Sequence, residues 1–543
     1  METIEGKDVE ISHREVLTTN HEPKTDQLID EALGGNAIEH DLSTLEALRI
    51  YKRGVALVAL ITLTIIMRGY DASVAPTFFA LPAFQNRFGH PVPGHGNQVA
   101  ARWQSALGVS TTVGQVFGSF VATYPMEWYG RRKTLAVYLL LTSAVIPMQV
   151  FAPSIQVLTA GEYIGGFFLG AYQVLIPTYS SELLPIILRP YLAGLINTAY
   201  NAGGLLMAGI SYSFSHWNSE WAYKIPFALQ WVWPVIILPI VYLTPESPWW
   251  LVRNGKLEEA RVALSKLGDE NDPRINFDRT VAMMQKTDLF EQKVETGGSL
   301  LDCFKGPSRY RTEILIMIFF CQDFAVSPVS AAYFYEQLNI DVTKSFRLNI
   351  GGTSIGLFCA IAAAFFLRYF GRRSVYTSGI GVLCVIQMTV GFLQLPPSYN
   401  QNGNFATAQI VLLFIASAVY NLTIGPLCYS ILTEVPSIRL RSKSVAISIA
   451  TDAVCGIVTN FVTPYLINPG EANARGKVDF LWGGISFFSF WWCFFRLPET
   501  KHRTVEEIDY LFENRVPARR FKGYVIDEEQ LRHNLEENHD SRA

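Results

Sequence analysis

Three short polar marks occur twice in this chain, in one order, each at the end of a long apolar run. Gly130-Arg131-Arg132, Ser181-Glu182-Leu183-Leu184-Pro185 and Pro245-Glu246-Ser247 return as Gly371-Arg372-Arg373, Thr433-Glu434-Val435-Pro436 and Pro498-Glu499-Thr500. The second set follows the first by about 250 residues, the period expected of two similar halves. The runs between the marks reach the roughly 20 residues that a helix needs to cross a bilayer. The pattern therefore predicts a polytopic membrane protein with a path between its halves.

Six runs (54–78, 104–124, 134–151, 157–179, 190–212, 225–243) precede a polar insert, and six more follow it (312–335, 350–370, 374–395, 405–429, 443–466, 478–496). The expected fold is thus all-α, with twelve transmembrane helices in two pseudo-symmetric six-helix bundles. The boundaries follow: a tail at 1–50, a bundle at 51–243, a central loop with surface helices at 244–311, a second bundle at 312–496 and a tail at 497–543. Within the loop, residues 256–267 repeat apolar positions at helical spacing. The composition agrees, since 50% of residues are hydrophobic and only 17% charged, against roughly a quarter charged in soluble proteins.

Basic residues set the orientation. Arg131, Arg132, Lys133, Arg189, Arg368, Arg372, Arg373, Arg439, Arg441 and Lys443 lie on one side; Lys224, Lys344, Arg347, Arg475 and Lys477 lie on the other, over longer loops. Both termini are expected to be cytoplasmic, with the first span serving as an uncleaved signal. The net charge of −3, without a basic patch, argues against a nucleic-acid partner. All seven cysteines follow residue 300 and lack metal-ligand spacing, so neither disulfides nor a metal or other cofactor is expected. No nucleophile elbow or phosphate loop suggests an enzyme.

The ordered marks resemble the major facilitator superfamily, in particular its sugar porters and, among them, the fungal α-glucoside (maltose) permeases. Further stretches carry the same resemblance: Gly69-Tyr70-Asp71 with Ala80-Leu81-Pro82, the segment from Trp221 to Pro234, Tyr333-Phe334-Tyr335-Glu336, Tyr420-Asn421-Leu422 and Leu497-Pro498-Glu499-Thr500-Lys501. The resemblance implies alternating access around a midplane site. It also implies a cytoplasmic gate in which Arg131, Arg132, Arg372 and Arg373 meet Glu127, Glu182 and Glu434.

Ionisable residues within a span are costly, so each is a functional candidate. Asp71 matches the first-span acid of the family and is the expected proton- or substrate-linked carboxylate. Glu162 stands where many sugar porters carry Arg, and it is expected to brace span 4. Arg68, Asp323 and Asp452 depart from the relatives, which place an acid before Gly-Tyr-Asp and a base in span 11. An inverted Arg68–Asp452 pair is the expectation, because a lone buried charge is less tolerable than a paired one. Gln115 replaces a Glu of some proton-coupled members.

Sugars are held by amides, hydroxyls and aromatic faces, which makes Asn197, Gln322, Asp323, Asn421 and Tyr429 the candidate solute contacts. Gly204 stands at a family Gln position, and Pro328 is placed to break span 7. The expected activity is proton-coupled uptake of an α-glucoside-like sugar or glycoside across the lipid bilayer of the cell membrane. Transport, including export, of a secondary metabolite and a non-transporting sugar sensor are the other readings.

Overall fold

In the computed structural model the described residues are 44–524, apart from 94–95, 270–271, 273–275, 296–299, 326–330, 339, 397–402, 438–439, 502 and 504. Pro328, Arg439 and, of the terminal tails, residues 1–43 and 525–543 therefore lie outside the described residues, as do the side chains of Arg368 and Arg441.

Among the described residues, eight helical passages are long and apolar enough to cross a membrane: Lys52–Phe78, Arg131–Val150, Trp221–Leu243, Val342–Leu367, Arg372–Leu393, Asn404–Glu434, Lys443–Ile467 and Arg475–Arg496. Four more long helical passages stand at the other expected positions among the described residues. They are Ala101–Tyr129, Ile155–Leu183, Arg189–Phe214, and Gly306–Phe324 continuing as the short helix Ala331–Gln337. Numbered along the chain these are spans 1–12, among which Ala101–Tyr129 is span 2 and Gly306–Phe324 with Ala331–Gln337 is span 7. Large apolar side chains point outward along them, Phe488 being 75% exposed and Phe358 73%. Such a surface suits hydrocarbon rather than water.

Contact clustering separates two compact units. One comprises residues up to Val58 with Ser181–Arg189 and Pro245–Gly297. In it, helices Pro248–Arg253, Leu257–Leu267 and Phe277–Glu295 enclose Trp249, Trp250, Leu264, Phe277 and Val281. Ser247 caps the first of these by accepting a hydrogen bond from the Trp250 amide at 3.2 Å. Its own hydroxyl donates to Glu182, so two of the sequence marks meet. Arg261–Asp278 at 2.9 Å and Arg253–Asp288 at 3.3 Å tie these helices together.

The other unit holds the spans apart from the Lys52–Val58 end of span 1, the Ser181–Leu183 end of span 4 and Arg189. Spans 2 and 3 join at Gly130, whose φ of +92° is one that L side chains rarely adopt, so the turn requires glycine. Spans 1 and 5 cross at their backbones. A Cβ on Gly69 would lie 2.1 Å from the Tyr200 carbonyl oxygen, and one on Gly203 would lie 2.1 Å from that of Ile66. This close crossing fixes the height at which Arg68, Tyr70 and Asp71 project. Span 10 breaks at Thr423, which leaves helical geometry (φ −120°, ψ −80°) two residues after Asn421.

Candidate solute and proton site

Span 1 is pinned by Tyr70, whose hydroxyl donates to the Pro226 carbonyl of span 6 at 2.7 Å. The next residue, Asp71, walls a cavity of about 230 Å³ that spans 2, 4, 7 and 11 complete with Gln104, Thr112, Glu162, Tyr333 and Asn460. One Asp71 oxygen, Oδ1, is buried without a hydrogen-bond partner among the described residues. Glu162 accepts from Gln149 at 3.1 Å and from Thr111 at 3.2 Å, both neutral. Asp71 and Glu162 also share a second, smaller cavity. A buried carboxylate with an unpartnered oxygen beside one held by neutral donors, with no guanidinium or ammonium bonded to either among the described residues, suits a group that takes up and releases protons.

Arg68 turns away from this cavity. Its Nη2 donates to Gln173 Oε1 at 2.7 Å, and its Cζ lies 5.1 Å from the centre of the Tyr200 ring. Asp452 is within electrostatic reach of Arg68, although no ion pair forms between them. Asp323 in turn repels Asp452, and Tyr429 lies within reach of Asp452, Arg68 and Tyr200. The five charged or phenolic groups thus form one cluster spread over spans 1, 5, 7, 10 and 11, distinct from the Asp71 cavity.

None of Asn197, Gln322, Asp323, Asn421 and Tyr429 walls the Asp71 cavity. Gln322 donates to the Tyr420 hydroxyl at 3.2 Å, leaving its buried Oε1 without a partner among the described residues. Asn197 contributes its carbonyl to Asn201 at 3.0 Å. Asn201 and Asn421 converge on Gly356 of span 8, where an added Cβ would meet Asn421 Nδ2 at 3.1 Å and Asn201 Oδ1 at 3.6 Å. Asn201, Gln173 and Tyr200 are site residues that the family marks do not single out. The polar i, i+4 spacing of Asn197 and Asn201 on one helix face was the available signal.

On the side of the Gly-Arg-Arg marks, Glu434 binds Arg372 through Nε at 3.2 Å and Nη2 at 3.1 Å, and accepts from Ser430 and Thr500. Glu499 accepts from the Arg372 amide at 2.7 Å. These contacts lie within one half. Arg373 instead donates to the Phe494 carbonyl at 2.8 Å. In the other half Arg131 is buried and donates to the Met126 carbonyl at 3.0 Å, while Arg132 lies over Tyr242.

The halves meet at the opposite ends of the spans, the outer side in the expected orientation. Gln85 Nε2 donates to Glu336 Oε1 at 2.9 Å, and Gln98 Nε2 reaches the same oxygen at 3.3 Å. One turn earlier on the same short helix, Tyr333 accepts from Gln104 at 3.2 Å and meets Phe79 edge-on. Asn468 donates to the Val99 carbonyl at 2.7 Å. The cavity is therefore roofed on this side by Tyr333.

Long apolar helices in two halves, with buried acids among them, define a membrane carrier. The chain belongs to the sugar (and other) transporter family, whose signature matches residues 55–512. It is 30% identical over 508 residues to a general alpha-glucoside permease of Saccharomyces cerevisiae, covering 92% of this chain and 81% of that one. A maltose permease of Saccharomyces cerevisiae is 30% identical over 542 residues, covering 96% and 87%. The solved xylose transporter XylE from E. coli, in a partially occluded inward open conformation, superposes with a TM-score of 0.67 at 19% identity, over 83% of this chain and 100% of that one. The chain is a multi-pass membrane transporter of the sugar porter type.

Proposed function

We propose that this protein takes up an α-glucoside-like sugar or glycoside together with protons, by alternating access between the bundles 51–243 and 312–496. In this reading both termini are cytoplasmic and Asp71 carries the proton. The carrying observation is the Asp71 carboxylate, buried with one oxygen unpartnered in a cavity walled by both halves. The permeases to which the chain is similar are named for α-glucosides and maltose, which favours sugar uptake over the metabolite reading.

The geometry supports the following cycle. With Glu336 bonded to Gln85 and Gln98, the outer side is shut. Opening that side separates Tyr333 from Gln104, exposes Asp71 to outside protons and admits solute to the amides Asn201, Asn421 and Gln322. Closing it again commits both to the inner side. Arg372–Glu434 stiffens the inner end of one half, so that the half moves as a body.

The test is uptake of radiolabelled maltose in cells lacking their own α-glucoside transport, at two external pH values. Uptake should be faster at the lower pH. Asp71→Asn should abolish accumulation against a gradient while retaining exchange. Uptake no greater than in vector-only cells at either pH, for maltose and for methyl α-glucoside, would refute the substrate class.

A further inference from the structure

Away from the solute path, two arginines meet at the end of span 12. Arg519 lies on the turn Ala518–Gly523, after the surface helix Val505–Glu513. This segment is firmly docked. Phe521 is fully buried and packs edge-on against Phe512 at 5.2 Å, and Arg503 donates to the Phe521 carbonyl at 3.0 Å. Arg311 of span 7 forms an ion pair with Asp509 of the same helix. Arg519 is thereby held with its Cζ 4.4 Å from the ring centre of Phe494 and 4.8 Å from that of Phe495.

Arg373 approaches the same residue from span 9, donating to the Phe494 carbonyl at 2.8 Å. Two guanidiniums thus converge on Phe494, close enough to repel one another. Glu499, the acid nearest Arg373 in the sequence marks, spends an oxygen on the backbone amides of Arg372 and Lys501. Arg519 has no carboxylate partner among the described residues. A guanidinium lying over a ring keeps its in-plane N–H donors available, and those donors match phosphate oxygens.

What lies beside the pair selects the anion. Trp491, Phe494 and Phe495 are exposed and form one aromatic surface, in which Trp491 stacks on Phe495 at 5.9 Å, Phe494 meets both edge-on, and Phe487 links them to Phe488 further along span 12. Aromatic belts of this kind mark the depth of lipid headgroups. We propose that Arg373 and Arg519 bind the phosphate of an anionic glycerophospholipid whose acyl chain lies along the aromatic face of span 12. A free anion gains nothing from that apolar wall, and the lipid uses both parts.

The experiment uses the full-length protein in phosphatidylcholine vesicles containing acyl-brominated phosphatidylserine or acyl-brominated phosphatidylcholine. Quenching of Trp491 is taken as the difference between wild type and Trp491→Phe. Wild type should favour phosphatidylserine. Arg519→Gln should reduce the preference about five-fold, the worth of one basic group at a membrane surface. Arg519→Lys should retain part of it, and Arg520→Gln, one residue away, should change it little. Arg519→Gln should transport normally in phosphatidylcholine vesicles, which reports that it is folded. Equal quenching by both lipids in wild type would overturn the proposal. So would equal losses in Arg519→Gln and Arg520→Gln, which signify diffuse attraction, or displacement of the lipid by millimolar inorganic phosphate.

Discussion

Glu336→Ala should unlatch the outer side. The substitution removes the acceptor of Gln85 (2.9 and 3.1 Å to the two oxygens) and of Gln98 (3.3 Å). Gln85 keeps its bond to the Phe79 carbonyl at 2.8 Å, so the loss amounts to about one strong hydrogen bond rather than three. A hydrogen bond to a charged group contributes about 1.5–3 kcal/mol. These bonds exist only while the halves are closed at that end, so the loss falls on one state of the cycle. The equilibrium should move toward the outward-open state by roughly 10- to 150-fold, at 1.4 kcal/mol per decade. The assay is labelling of Ala72→Cys, a cavity position, by a membrane-impermeant thiol reagent added outside, with the seven native cysteines replaced. Labelling should accelerate within that range in Glu336→Ala and by less in Glu336→Gln, whose amide oxygen still accepts. An unchanged rate in Glu336→Ala would show that other contacts, such as Asn468 with Val99, hold the outer side shut.

Gly356→Ala places a methyl group 3.1 Å from Asn421 Nδ2 and 3.3 Å from Ser417 Oγ, so KM for maltose uptake should rise roughly ten-fold or more. An unaltered KM would mean that solute passes elsewhere. Arg68→Asp and Asp452→Arg should each cripple transport, and the double variant should recover part of it. A double variant no better than either single would separate the two charges functionally. Arg311, 3% exposed, pairs with Asp509 and lies 4.7 Å from the Phe512 ring centre. Arg311→Ala should cost about 3 kcal/mol of C-terminal docking, read as faster limited proteolysis after residue 497.

The spans and marks were legible because a bilayer accepts only long apolar helices, and their ends must carry the turn residues and charges. The limits of Arg131–Val150 and Arg372–Leu393 fall where the glycine-arginine marks predict a new helix. The helix expected at 256–267 is present as Leu257–Leu267. The site was legible as a set of residue types but not as a set of contacts. Asp71 stood out because a lone acid in an apolar run has few structural uses. Its separation from Asn421 and Gln322 could not be read, because the sequence does not say which helix faces turn toward one another. Arg68 shows the same limit. Charge balance pointed to Asp452, whereas the helix crossing at Gly69 and Gly203 delivers its guanidinium to Gln173 and Tyr200. Nothing local to Glu336 signals its role, since its partners lie some 240 to 250 positions away on the other half.

The central claim is that the two bundles open alternately on opposite sides of one buried site. Spin labels at Arg102 and Lys344, both exposed at the outer ends, and at Lys133 and Ser374, exposed beside the two Gly-Arg-Arg marks, report those sides separately. Pulsed dipolar distances should change in opposite senses when maltose is added, one pair lengthening as the other shortens. Two pairs that lengthen together, or neither responding while uptake proceeds, would contradict the account.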